Sequence, residues 1–163
     1  MLSPLLPSGI PGLYSTASVH DLRQFIDSSP WTNPSASDPK SQKVLILDVR
    51  EPSELSLLPA IDTPATIAVP MSSFRHDALR LIRRKVDELR RVHGDSASEN
   101  SPTTLKDVHV HIMCASGTRA VKAAVALGWE GLFGDVSVVT GGMQSWGRMA
   151  PETKAATSRR RAE

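Results

Sequence analysis

Val44-Leu45-Ile46-Leu47-Asp48-Val49 is a short apolar run rich in branched residues between polar stretches, the pattern of a parallel strand covered on both faces. Thr66 to Val69, closed by Pro70, Val108 to Met113 and Val136 to Val139 read as three further strands. Helical spacing falls between them. Ser18-Val19-His20-Asp21 has the form of a capping box, and Leu22, Phe25 and Ile26 then share one helical face to about Asp27. Leu79, Ile82, Val86, Leu89 and Val92 recur at three and four residues in a longer helix started by Ser72 or Ser73, with Arg83–Asp87 and Arg84–Glu88 at pairing distance on its outer face. An Ala-rich helix, Ala120 to Leu127, is expected to end at Gly128. Strands alternating with helices predict an α/β fold with a mainly parallel central sheet and helices on both faces.

The remaining stretches punctuate this core. Residues 1–17 carry Pro4, Pro7, Pro11, Gly9 and Gly12 among leucines, which suits an extended N-terminal segment. The domain is placed at 18–150, with polar insertions at about 28–43, anchored by Trp31, and about 94–107. A polar, basic tail with Arg159-Arg160-Arg161 occupies 151–163. His109 and His111 alternate onto one face of their strand, where the expectation is histidines satisfied beneath a helix or loop and no metal site, since further ligands at close spacing are lacking.

Composition narrows the function classes. A length of 163 residues suits one domain, and 40% hydrophobic with 22% charged residues is ordinary for a globular chain. The net charge of +2 owes much to the C-terminal arginines, so nucleic acid is not an expected partner. No apolar run is long enough to span a bilayer, and Met1 to Gly12 lacks the pattern of a signal peptide. A single cysteine forms no internal disulfide, which favours a reducing compartment; a cytoplasmic monomer is the expectation.

That cysteine marks the candidate chemistry. Met113-Cys114-Ala115-Ser116-Gly117-Thr118-Arg119 runs from strand to helix, so the sulfur of Cys114 sits before N–H groups that have no intrahelical partner and carry the positive end of the helix dipole. A thiolate there is stabilised relative to the thiol. Four residues separate Cys114 from Arg119, one fewer than the loop of a cysteine-dependent phosphatase, so the loop favours a single sulfur over a phosphoryl group. Asp48 and Arg50 lie at the carboxyl end of their strand, where ligands bind in open α/β sheets, and Gly141 and Gly142 allow close backbone approach after the last strand.

Taken together, Leu47-Asp48-Val49-Arg50-Glu51-Pro52 with Glu54, the Ile67–Pro70 strand, Cys114–Arg119, and Thr140-Gly141-Gly142 with Trp146 resemble the rhodanese-like sulfurtransferases, in the family's order over most of residues 18–147. The resemblance implies a three-layer rhodanese-like fold. It also implies transfer of a sulfane sulfur from a donor such as thiosulfate or 3-mercaptopyruvate, through a Cys114 persulfide, to a small thiol, cyanide or a protein, without a cofactor. The N–H groups of Ala115, Ser116, Gly117, Thr118 and Arg119 would bind the sulfur, with Gly117 at positive φ. The hydroxyls of Ser116 and Thr118 would donate to the sulfur or cap the helix. Arg119, a cation opposing the helix dipole, calls for an anion, either substrate or Asp48, with an Arg119–Asp48 brace preferred. The family's Gly-His-Ile is replaced by Pro59-Ala60-Ile61, and Ala115 stands where active loops often carry a base, so thiosulfate is expected to be a poor donor. A non-catalytic binding module and a small phosphatase or arsenate reductase are the competing readings.

Overall fold

Because Val44 to Asp48 are all buried, their strand can only be central, and the other elements arrange around it. A computed structural model describes residues 11–38, 40–95 and 105–149. The elements are β1 (Ser15–Ala17), α1 (Val19–Ser28), β2 (Lys43–Asp48), α2 (Pro52–Leu57), β3 (Thr66–Ala68), α3 (Phe74–His93), β4 (Leu105–Met113), α4 (Thr118–Glu130), β5 (Phe133–Val139) and α5 (Gly142–Gly147). The strands form one parallel sheet in the order β1-β5-β4-β2-β3.

Alternation along the strands sends side chains to two cores. Leu45 and Leu47 of β2, Val110 and Ile112 of β4, and Val136 and Val138 of β5 pack with Ile82 and Val86 of α3 and Ala123 and Ala124 of α4. Val44, Ile46, Met113 and Val139 meet Leu22 and Ile26 of α1 and Met143 and Trp146 of α5. The expected three layers are therefore present. The capping box of α1 is complete, with Ser18 Oγ accepting from Asp21 N at 3.0 Å and Asp21 Oδ2 accepting from Ser18 N at 2.9 Å.

Several local expectations are corrected. Apolar spacing predicts no element at Glu51–Leu55, but Pro52 at the first helical position and Glu54, which accepts from Glu51 N at 2.8 Å, open the short helix α2. Ser15–Ala17, expected within an extended N-terminal segment, form the strand β1 although they carry almost no apolar signal, and pair with β5. β4 begins at Leu105, three residues before the apolar alternation starts. α4 does not stop at Gly128 but continues to Glu130 and caps on Gly131 at φ +61°. Gly128 is helical yet lacks a side chain for another reason: a Cβ there would fall on the carbonyl oxygen of Leu13. On α3, Glu88 pairs with Lys85 rather than Arg84, Asp77 takes Arg80, and Val92 is largely exposed. Trp31 is fully buried, with Lys43 Nζ 5.9 Å from its ring centre.

Candidate active site

β4 delivers Cys114 to the carboxyl edge of the sheet, and the loop Cys114–Gly117 turns the chain into α4. Gly117 is the N-cap of α4 at φ +104°, a conformation that a Cβ would strain, so the glycine is needed where the loop expectation placed it. Its N–H donates to Cys114 Sγ at 3.0 Å. Cys114 itself is 1% exposed, beneath the loop rather than on it. Ser116 and Thr118 are exposed, and α4 starts without a side-chain cap.

The loop is held from behind by α5. Met143 N donates to the Cys114 carbonyl at 2.8 Å and Gln144 N to the Ala115 carbonyl at 2.9 Å. Gly141 and Gly142, at φ +78° and +55°, make the approach possible, since a Cβ on Gly142 would fall on the Cys114 carbonyl oxygen and 2.9 Å from that of Ala115. The N–H groups that would otherwise open α5 unpaired thus serve as braces.

The expected Arg119–Asp48 pair is not formed. Arg119 instead makes a bidentate pair with Glu54 of α2, Nη1 to Oε2 at 2.6 Å and Nη2 to Oε1 at 2.5 Å. The arginine and the Glu51 N–H together hold the Glu54 carboxyl down to about 2, and Arg119 is pushed above the ordinary guanidinium range by the same contact. Asp48 is already engaged: both its oxygens accept from Arg50, at 2.7–3.1 Å, with both side chains 2% exposed. Arg50 also donates to the Leu58 carbonyl at 2.8 Å, pinning the chain after α2. Glu51 Oε1 and Oε2 accept from Ser72 N and Oγ, at 3.1 and 2.9 Å, which ties the start of α2 to the start of α3. Glu54 belonged to the recognised stretch but had no assigned role; the signal was a carboxylate in the first turn of a helix that was not foreseen.

A buried cysteine at a strand–loop–helix junction on a five-stranded parallel sheet is the arrangement of the rhodanese-like domain. The sequence profile of that family, described as Rhodanese-like domain, matches residues 34–149, and the chain belongs to it. Among solved structures, the reduced CoADR-RHD of Bacillus anthracis is 23% identical over 87% of this chain and 18% of that one, with a TM-score of 0.50. The single-domain sulfurtransferase RDL2 of Saccharomyces cerevisiae is 22% identical over 85% of this chain and 92% of its own, at 0.49. A rhodanese-like domain protein from Staphylococcus aureus is 21% identical over 80% and 89%, at 0.47. Among curated protein sequences, none matches. Among the described residues, no helix is long and apolar enough to cross a membrane.

Proposed function

We propose that this chain is a rhodanese-type sulfurtransferase that carries a sulfane sulfur on Cys114. The observation that carries the reading is the Gly117 N–H directed at Cys114 Sγ within a loop of four residues closed by the Arg119–Glu54 clamp. The Cys114 thiolate attacks the outer sulfur of the donor; with thiosulfate the S–S bond breaks and sulfite leaves with the electron pair, and with 3-mercaptopyruvate the C–S bond breaks and the enolate of pyruvate leaves with the pair and takes up the thiol proton. An acceptor thiolate or cyanide then attacks the terminal sulfur of the persulfide, and the pair returns to Sγ. Backbone N–H groups stabilise the anion in both steps without reorganising.

Donor choice follows from charge. Ala115 supplies no cation, and that of Arg119 is matched by Glu54, so nothing in the loop rewards a dianion. 3-Mercaptopyruvate or a low-molecular-weight persulfide is accordingly a better donor than thiosulfate, and a small thiol the natural acceptor. Incubation with each donor followed by intact mass measurement adds one sulfur atom, which cyanide removes and which Cys114→Ser never acquires. An adduct that persists in Cys114→Ser sinks the proposal.

The 1% exposure of Cys114 favours a second reading, a rhodanese-like module that binds a partner without turnover. No sulfur adduct from any donor, together with iodoacetamide alkylation only on unfolding, is the result that selects it.

A further inference from the structure

On the face of the sheet that carries α1, β4 and β5 hold polar side chains where a core is expected. His111 is 2% exposed and stacks on the Phe25 ring, centroids 4.9 Å apart, yet neither of its ring nitrogens meets a protein hydrogen-bond partner. Ser137, its register partner on β5, is 2% exposed and its Oγ is likewise unpartnered. The expectation of histidines satisfied beneath a helix therefore fails at His111. Buried polar groups left without partners are rare and costly, and where several converge they mark a place that something polar completes.

Both side chains line a cleft of about 330 Å³ beside β1, whose described lining does not include Cys114. Its charged groups are Asp135 of β5, which accepts from Ser15 Oγ at 3.1 Å, and Asp21 of α1, whose Oδ2 is occupied by Ser18. His109 and Gln42 complete the polar wall, and Phe25 supplies an aromatic one. Among the described residues lining it there is no lysine or arginine. Nor, among them, is any group of three or more histidine, cysteine or acidic side chains placed to hold a metal ion.

We infer that this cleft is a binding site for a small organic cation, an amine whose ammonium group pairs with Asp135 and whose hydrogen-bonding body reaches His111 and Ser137. The neutral imidazole offers one donor and one acceptor, and the serine hydroxyl either, so the body carries a hydroxyl or carbonyl. Two carboxylates without a counter-charge select against anions, which separates this site from the sulfur chemistry at Cys114. The site depends on no property of Cys114.

Tyramine, 2-(4-hydroxyphenyl)ethanol and 4-hydroxyphenylacetate share one body and differ in charge, and serve as probes. Each is titrated into the full chain while the imidazole nitrogen resonances of His111 are followed by NMR. Tyramine is expected to shift them saturably, at least about tenfold tighter than the neutral alcohol, with no saturable shift from the carboxylate. Asp135→Asn should bring tyramine to the affinity of the alcohol, and Ser137→Ala should weaken both; each variant's fold is checked by its unchanged Phe25–His111 ring-current shifts. Equal affinity for the three probes overturns the inference. So does no saturable shift from any of them up to about 10 mM, including the case in which long-lived water alone occupies the hydrogen-bonding positions of His111 and Ser137.

Discussion

At its carboxyl end β4 hands Cys114 to a loop in which Arg119 is matched by Glu54, Asp48 by Arg50, and the carbonyls of Cys114 and Ala115 by N–H groups of α5. Three residues earlier on the same strand, His111 is buried to the same degree with neither nitrogen matched, beside a serine in the same condition. Both places break the apolar pattern of a central strand. They do so on opposite terms: the first spends its polar groups on fixing one geometry, and the second leaves them free at a cost in stability of about 1–3 kcal/mol for each unpaired group. A fully matched site tolerates no displacement, whereas an unmatched one gains from being changed.

The sharpest way to break the matched end is to push α5 off the loop. Gly142→Ala puts a Cβ on the Cys114 carbonyl oxygen at a φ of +55°, so steric overlap adds to backbone strain. A loss of about 4 kcal/mol is expected, read as a lower urea midpoint with unchanged slope. Sulfur loading of Cys114 should fall with it. A variant of wild-type midpoint would mean that the α5 N–H groups do not hold the loop.

The unmatched site at His111 should respond in the other direction. Burial holds His111 down to about 4, against the usual 6.5, so the unfolded chain takes up this proton first as the pH falls. Stability contributed by the neutral imidazole is therefore complete above pH 6.5, is lost between 6.5 and about 4, and changes no further below that. The span corresponds to roughly 3 kcal/mol. His111→Phe removes this acid slope, keeps a ring against Phe25, and should raise stability at neutral pH by about 1–3 kcal/mol. Denaturant unfolding of both proteins at a series of pH values measures it, the difference between them isolating His111 from the carboxylates. Parallel pH profiles would show that His111 is satisfied after all.

The two sites also differed in how far the sequence disclosed them. The loop was legible because its requirements are local: a cysteine closing an apolar run, a glycine at the turn, an arginine at fixed spacing, two glycines after the last strand. Its partners were less so. Arg119 and Glu54 are 65 residues apart and meet only because α2 forms, and α2 rests on a Pro at its first position and an acidic side chain rather than on apolar periodicity. Asp48 looked available because nothing local shows that Arg50, two residues on, folds back over it. The parallel sheet was implied by the alternation of strands and helices, but β1, with two of its three residues exposed, has no period to find. At His111 the pattern correctly gave one buried face and misjudged what covers it. Whether a polar group is satisfied depends on the elements across the face, and Phe25 offers a ring where a hydrogen-bond acceptor was expected.

The smallest change tests whether the clamp at the matched end also governs the donor. In Glu54→Gln the geometry of the Arg119 contact is kept while its charge is not. Both side chains are about one-third exposed, so the stability lost should be about 1 kcal/mol or less, present above pH 4.5 and vanishing toward pH 2 as the wild-type carboxylate is itself protonated. The kinetic effect is more telling. An unmatched Arg119 beside the sulfur becomes a subsite for anionic donors, so KM for thiosulfate should fall about threefold while the value for an uncharged alkyl persulfide donor stays as it was. Equal changes for both donors would place the effect in the loop's position instead of its charge. No change for either would mean that the guanidinium, even when released, does not face the sulfur, and that the selection against thiosulfate lies with Ala115 alone.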